Sequence, residues 1–226
     1  SSGNLVSGVF NGSNFRYNVA EQMRIEVTSA ANAVKGYSGI VAVGHAAAYQ
    51  LVKLGGDSTG VSVGDSLRLR AKVVDIYGNA VSGQTVFFTV QQGGGHLAAP
   101  QAVSDANGRV SLWFRTGTVR GTNVARASIL DGDPEGLETQ SFTVTTVPKT
   151  TIARVTLTIP GGMSYRAGDV FAGNVAAYDQ YNNLIDTDSS SRLRCVARHS
   201  TIGFVPAVMT LSAGAASFTA SDTLAG

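Results

Sequence analysis

A tandem repeat constrains this chain more than any other feature. Gly64-Asp65, Asp75, Tyr77 and Asn79 return in the same register as Gly168-Asp169, Asp179, Tyr181 and Asn183, a shift of 104 residues. A unit of that length is long enough to bury its own core, so the repeat predicts consecutive small domains of one design. The first copy of the motif, Asp75-Ile-Tyr-Gly-Asn79, lies between the alternating run Ser66-Leu-Arg-Leu-Arg-Ala-Lys-Val73 and the apolar run Thr85-Val-Phe-Phe-Thr-Val90. Each copy therefore reads as a strand leaving the core, a turn, and a strand returning. Gly78 of the first copy is Asn182 in the second. Both residues tolerate a positive φ, so the exchange preserves a backbone shape. Asp75 and Asp179 suit an Asx-turn, in which the carboxylate accepts nearby loop amides. Asp75, Gly78, Asn79, Asp179, Asn182 and Asn183 are accordingly read as structural turn residues.

Composition agrees with short strands and tight turns. There are 27 Gly, only 14% charged residues and 43% hydrophobic residues, which predicts an all-β class able to bury a core. With 17 basic and 15 acidic residues the net charge is +2, which makes no case for nucleic acid as a partner. No apolar run approaches the roughly 20 residues of a membrane-spanning helix, so membrane insertion is not expected. Cys195 is the only cysteine, which rules out an intradomain disulfide and suggests a small packed apolar residue beside Leu193 and Ala197. Arg192, Arg194 and Arg198 fall on the opposite side of that strand, as a solvated face.

Taken in order, the chain predicts three segments. Gly8-Val-Phe10, Arg24 to Thr28 and Ser38 to Val43 match the last strands of the central repeat, so residues 1–46 read as the closing strands of a preceding domain. Residues 47–147 hold one complete repeat, in which residues 55–60 read as a loop, Gly93-Gly-Gly95 as a mobile turn and Asp105-Ala-Asn-Gly108 as a hairpin turn. Val110, Leu112 and Phe114 share the core face of the following strand, leaving Trp113 on the other face as a candidate interaction residue. Val147-Pro-Lys149 reads as a short stiff linker. Residues 148–226 repeat the pattern without its last strands.

The chain resembles the bacterial Ig-like repeats of the invasin and intimin type. The features that carry the resemblance are Gly64-Asp65, Asp75-Ile-Tyr-Gly-Asn-Ala-Val-Ser-Gly83, Asp105-Ala-Asn-Gly108 and Gly117-Thr-Val-Arg-Gly121. The resemblance implies tandem Ig-like β-sandwiches in a semi-rigid rod, on an extracellular or cell-surface bacterial protein. It specifies a fold and not an activity.

Little in the sequence suggests chemistry. His45, His96 and His199 are scattered, with no partner at a spacing that would make a zinc site or an activated nucleophile. Gly93-Gly-Gly95 lacks the Lys-Ser/Thr and helix of a phosphate loop. No enzyme activity and no cofactor are expected, with calcium as the one candidate ion: Asp131, Asp133 and Glu135, with Glu138 beside them, are the candidate metal ligands. Asp186-Thr-Asp188 is a second, poorer cluster.

Three functional classes fit. The first is a non-catalytic structural or adhesive module of a bacterial surface protein, whose partners are neighbouring repeats and a host or cell-surface ligand. In the second, copies join head to tail by strand exchange into a filament or surface layer. The third is an accessory carbohydrate-binding module of a secreted enzyme, using exposed aromatics such as Trp113, Tyr165 or Tyr178.

Overall fold

The computed structural model describes residues 16–29, 33–129, 139–161, 164–166, 168–196, 203–205 and 207–221. Among the described residues every regular element is a β-strand. The front of the chain forms β1 (Gln22–Met23), β2 (Glu26–Thr28), β3 (Lys35–Tyr37) and β4 (Val41–Ala42). The centre forms β5 (Ala48–Gly55), β6 (Ser58–Ser62), β7 (Ser66–Asp75), β8 (Thr85–Gln92), β9 (His96–Leu97), β10 (Gln101–Val103), β11 (Arg109–Arg115), β12 (Gly121–Ser128) and β13 (Thr139–Val147). The last part forms β14 (Arg154–Thr158), β15 (Val170–Tyr178), β16 (Arg192–Arg194), β17 (Gly203–Val205), β18 (Val208–Thr210) and β19 (Ala215–Ser221).

The central strands make two sheets, β5-β7-β11-β9 and β10-β8-β12-β13-β6. Alternation along β7 decides how they face. Leu69, Ala71 and Val73 are buried while Arg68 and Arg70 are exposed, so this sheet has one dry and one wet side. β11 repeats the pattern, with Val110, Leu112 and Phe114 inward. The second sheet meets them with Val86, Phe88, Ala125, Ala127, Phe142 and Val144, closing a single β-sandwich core. Phe114 and Phe142, one from each sheet, are both 0% exposed, and each contributes about 2–3 kcal/mol by burial.

Three local expectations are corrected. The turn at residues 105–108 is not a hairpin: β10 pairs with β8, whereas β11 pairs with β7, so the turn carries the chain from one sheet to the other. Its own bonds are as expected, with Asp105 Oδ1 accepting the Asn107 and Arg109 N–H groups at 2.8 Å each. Residues 55–60 are not all loop, because Ser58–Ser62 is a strand that runs parallel to β13, with Ser58 opposite Val144. The chain changes sheet just before it, at Gly56, where φ is +127° and a Cβ would sit 2.8 Å from Phe142 Cδ1. The third correction concerns the turn at residues 93–95, which is a turn as expected but uses Gly93 and Gly95 for close packing: a Cβ at Gly95 would lie 2.4 Å from Phe114 Cζ.

The last strands repeat the first half of this design. Sheet β14-β15-β19-β17 follows the order of β5-β7-β11-β9, and the pair β16-β18 follows β8-β10. At the front, β1 pairs with β4 and β2 with β3, all antiparallel, as β12 pairs with β13. Gln22 opposite Ala42 corresponds to Thr122 opposite Thr145.

Candidate functional site

The repeated motif closes on itself first. Asp75 stands at the end of β7, and its Oδ1 accepts the N–H groups of Tyr77 and Asn79, each at 2.9 Å. The Asp75 N–H donates to the Asn79 carbonyl at 3.0 Å, and Gly78 sits at φ +84° between them. Asp179 does the same in the second copy. Its Oδ1 accepts from Tyr181 and Asn183 at 2.9 Å each, with Asn182 at φ +73°.

The remaining polar atoms of each motif reach outward, to the stretch of chain before it. Asp75 Oδ2 accepts the Ala46 N–H at 2.8 Å, and Asp179 Oδ2 accepts the Lys149 N–H at 3.1 Å. Ala46 and Lys149 both precede the first strand of their repeat. Asn79 donates through Nδ2 to the Asn18 carbonyl at 2.7 Å and accepts the Ala20 N–H at Oδ1 at 2.9 Å. Asn183 donates to the Thr118 carbonyl at 2.8 Å and accepts the Arg120 N–H at 3.0 Å. Each asparagine thus spans a loop just ahead of β1 or β12 with one amide group. Two independent copies of one sequence motif make one bonding pattern, and the pattern is a clamp between successive β units.

The second clamp has further contacts around it. Lys149 pairs with Asp65, and Arg120 pairs with Asp186. These ion pairs are partly solvated and contribute at most about 1 kcal/mol each. A Cβ at Gly64 would lie 3.1 Å from the Tyr181 hydroxyl, so the tyrosine closes over the start of β7.

The carboxylates are held ionised. Burial pushes the Asp75 pKa up, but the Asn79 side chain and the backbone N–H groups of Ala46, Asn79 and Tyr77 outweigh it and bring the value to about 2. Asp179 is lowered in the same way, burial being overcome by the Asn183 backbone and side chain, then by Lys149 and Tyr181. Both side chains are 2% exposed, so a carboxylate at either place depends on those donors.

The loop that Asn183 grips is positioned from inside the sandwich. The Gly117 N–H donates to the Oδ1 of fully buried Asn123 at 2.8 Å, and the Gly64 N–H donates to the Gly117 carbonyl at 3.0 Å. Thr146 Oγ1 accepts the Gly121 N–H at 3.1 Å and donates to the Gly121 carbonyl at 3.0 Å. Gly117 has no room for a side chain, since a Cβ there would lie 1.8 Å from the Gly93 carbonyl oxygen.

This sandwich, with its repeated turn and inter-sheet connections, is the segment that a known family describes. The model of the bacterial Ig-like domain (group 1) matches residues 64–147. Those residues are a bacterial Ig-like domain. No curated protein sequence matches the chain. Among solved structures, the chain is similar to FdeC, an Escherichia coli adhesin, at 16% identity and a TM-score of 0.53, covering 91% of this chain and 67% of that one. The D0–D1 domain of intimin is 14% identical with a TM-score of 0.36, covering 79% of this chain and 87% of that one. The Yersinia pseudotuberculosis adhesin InvE is 18% identical with a TM-score of 0.39, covering 77% of this chain and 51% of that one. At these identities the likeness to FdeC is one of fold.

Within the Ig-like domain, Trp113 is 50% exposed on β11, with the Arg68 guanidinium 5.2 Å from its ring centre. Tyr178 ends β15 and Tyr165 lies in the segment between β14 and β15, so no common sheet joins them to Trp113. Tyr165 stacks on Phe171 with ring centres 5.0 Å apart, and the Arg154 guanidinium lies 4.5 Å from the Tyr178 ring. The candidate calcium ligands Asp131, Asp133 and Glu135, with Glu138, lie outside the described residues. Among the described residues no group of three His, Cys, Asp or Glu side chains comes together. Asp186 is taken by Arg120, and Asp188 accepts the Ser190 and Ser191 N–H groups at 3.0 and 2.9 Å in a local turn. Cys195 is half-buried, and burial pushes its thiol pKa up.

The residues that sequence reasoning missed are Ala46, Lys149, Thr118, Arg120 and Asn123. Most of them act through backbone atoms, which no side-chain pattern reveals. One usable signal existed: Asn at the fourth place after Asp, in both copies, is more polar capacity than a turn alone consumes.

Proposed function

We propose that the chain is a non-catalytic structural and adhesive module of a bacterial surface protein, working outside the cell. In this reading the Asp–Asn clamp fixes the angle between successive Ig-like units, giving a semi-rigid rod that presents its outer loops and faces to a host or cell-surface ligand. The observation that carries the proposal is the duplicated bond set, Asp75 with Ala46 and Asn79 with residues 18 and 20, against Asp179 with Lys149 and Asn183 with residues 118 and 120. Domain joints inside a chain are mobile by default unless something specific holds them, and a clamp with matched donors and acceptors on both sides supplies that. The likeness of fold to the adhesin FdeC supports the same reading.

The test is small-angle X-ray scattering of the chain and of Asn183→Ala. The substitution leaves the Thr118 carbonyl and Arg120 N–H without their amide partner, a loss of about 1–2 kcal/mol at the joint. The expected result is a wider distribution of interatomic distances in the variant, with unchanged folding of the central sandwich by circular dichroism. Superimposable scattering curves would show that the clamp does not set the joint.

A second reading, head-to-tail strand exchange, has its own observation. Val155, Leu157 and Val196 are 46%, 58% and 65% exposed, beside an open groove lined also by Val175, Leu193 and Phe218. In the central sandwich the equivalent strands are covered by the hairpin β12–β13, and the front hairpin, whose Ile25, Val27 and Ile40 are exposed, has that same pairing. Light scattering separates the two readings. Exchange predicts masses that climb with concentration in multiples of 23.3 kDa, whereas a constant 23.3 kDa removes it and leaves the clamp proposal intact.

A further inference from the structure

The outer face of the sheet β5-β7-β11-β9 gathers cations that the sequence keeps about forty residues apart. Arg68 stands opposite Trp113, Arg70 opposite Ser111, Lys72 opposite Arg109, and Arg115 opposite Ser66. β9 extends the face with exposed His96, opposite Arg115. Four ion pairs occur among the described residues, Lys35–Glu26, Lys53–Asp57, Arg120–Asp186 and Lys149–Asp65. None of them uses Arg68, Arg70, Lys72, Arg109 or Arg115, so five of the chain's 17 Lys and Arg residues share one face without a carboxylate partner among the described residues. Asp105 borders a shallow groove with Leu54, Arg70 and Arg109 and spends its Oδ1 on two backbone N–H groups.

A merely solvated face would be expected to mix its signs. Here Lys72 and Arg109 are direct cross-strand neighbours, and like charges in that position destabilise a sheet. Arg68, Arg70 and Lys72 follow one another along β7 at steps of about 7 Å, which is the spacing of same-face residues on a strand. A row of two guanidinium forks and an ammonium group at that spacing suits a chain of carboxylates or sulfates. Trp113 stands beside Arg68 at one end of the row, with Arg115 beyond it on β11, one side occupied by Arg68 and half of its surface open. An open indole among anion-binding groups suits the apolar face of a sugar ring.

We propose that this face of the Ig-like domain, Arg68, Arg70, Lys72, Arg109, Arg115 and Trp113, binds an anionic polysaccharide. The ligand lies across β7 and β11, its sulfate or carboxylate groups on the guanidinium groups and one sugar ring on Trp113. Nucleic acid fits less well. Single strands are held by successive stacking aromatics, whereas this face has one Trp between cations, and duplex grooves are read by helices or ribbons that a flat sheet interior does not provide. The site needs neither the clamp nor any neighbouring unit, so it stands apart from the proposed function.

Heparin is the probe, titrated calorimetrically into the 226-residue chain at low and moderate salt, beside desulfated heparin, dextran and single-stranded DNA. Binding to heparin that weakens with salt is expected, with little to dextran, because the contacts are ionic. Arg70→Ser with Arg109→Ser is expected to weaken binding about tenfold or more, and Trp113→Thr by about fivefold with less change in salt dependence. The control is Arg192→Ser with Arg194→Ser, which removes the same charge from an exposed strand outside this sheet and is expected to change affinity less than about twofold. All three variants lie on exposed strand positions, and unchanged thermal melting checks that they fold. The proposal is overturned by no heparin binding, by equal losses in the control pair, or by tighter binding of DNA that the same face variants abolish.

Discussion

Asp75→Ala is expected to lower the stability of the central sandwich by about 3–4 kcal/mol, the sum of several lost charge-assisted hydrogen bonds less what water restores. The carboxylate accepts four groups: the Tyr77 and Asn79 N–H groups on Oδ1, and the Ala46 N–H and the Asn79 side chain on Oδ2. Alanine offers no acceptor, and the turn, the bridge from Val74 to Ala80 and the strand entry at Ala48 all depend on those donors being satisfied. For a domain of this size the loss corresponds to a fall in Tm of roughly 15 °C or more, readable by urea and thermal unfolding. The pH dependence follows from the same bonds. The folded carboxyl titrates at about 2, below the ordinary value near 4 of an unfolded chain, so its stabilisation is complete at neutral pH. It is lost as pH falls from about 4 to about 2, and Asp179, also lowered, adds a contribution of the same sign. The gap between wild type and Asp75→Ala should therefore narrow across that window, by about 2–3 kcal/mol. A difference under about 1 kcal/mol at pH 7 would show that water replaces the carboxylate.

Much of the fold was legible because it is written in side-chain alternation. The faces of β7 and β11, from Leu69 to Val73 and from Val110 to Phe114, are as the period of two requires. The 104-residue shift also forecast the repeated strand order of the two four-stranded sheets. What escaped depends on pairing over distance. Asp105 announces a turn, but nothing local says that the strands on either side belong to different sheets. Ser58–Ser62 is short, polar and Gly-containing, and its strand character comes from β13, more than eighty residues later. Gly93 and Gly95 look like flexibility in a sequence and prove to be space for Asn123 and Phe114. The clamp was half legible. The Asx-turn is a local bond pattern, whereas the outward use of Asn79 and Asn183 needs backbone atoms some sixty residues upstream. The cationic face escaped for the same reason, since β7 alone reads as an ordinary wet strand until β11 lies beside it.

Gly117→Ala carries the other large effect, and it links core to joint. At this position a Cβ would sit 1.8 Å from the Gly93 carbonyl oxygen and 3.3 Å from Asn123 Oδ1, both of them held inside the sandwich. Relief requires a backbone shift of more than about 1 Å, because the first obstacle is a carbonyl and not the end of a flexible side chain; overpacking of this kind costs about 3 kcal/mol or more. The shift cannot stay local. Gly117 donates to Asn123, accepts from Gly64 and leads into Thr118 and Arg120, the two residues that Asn183 holds. The variant is thus expected to lose stability in the Ig-like domain and, where it still folds, to loosen the second clamp as Asn183→Ala does. Two measurements check it together: urea unfolding for the sandwich, and amide hydrogen exchange at Arg120 and Lys149 for the joint. Faster exchange at both amides with a lowered unfolding midpoint is the expected pair. A lowered midpoint with unchanged exchange would mean that the loop repositions as a body and that the clamp is set by Asp179 and Asn183 alone.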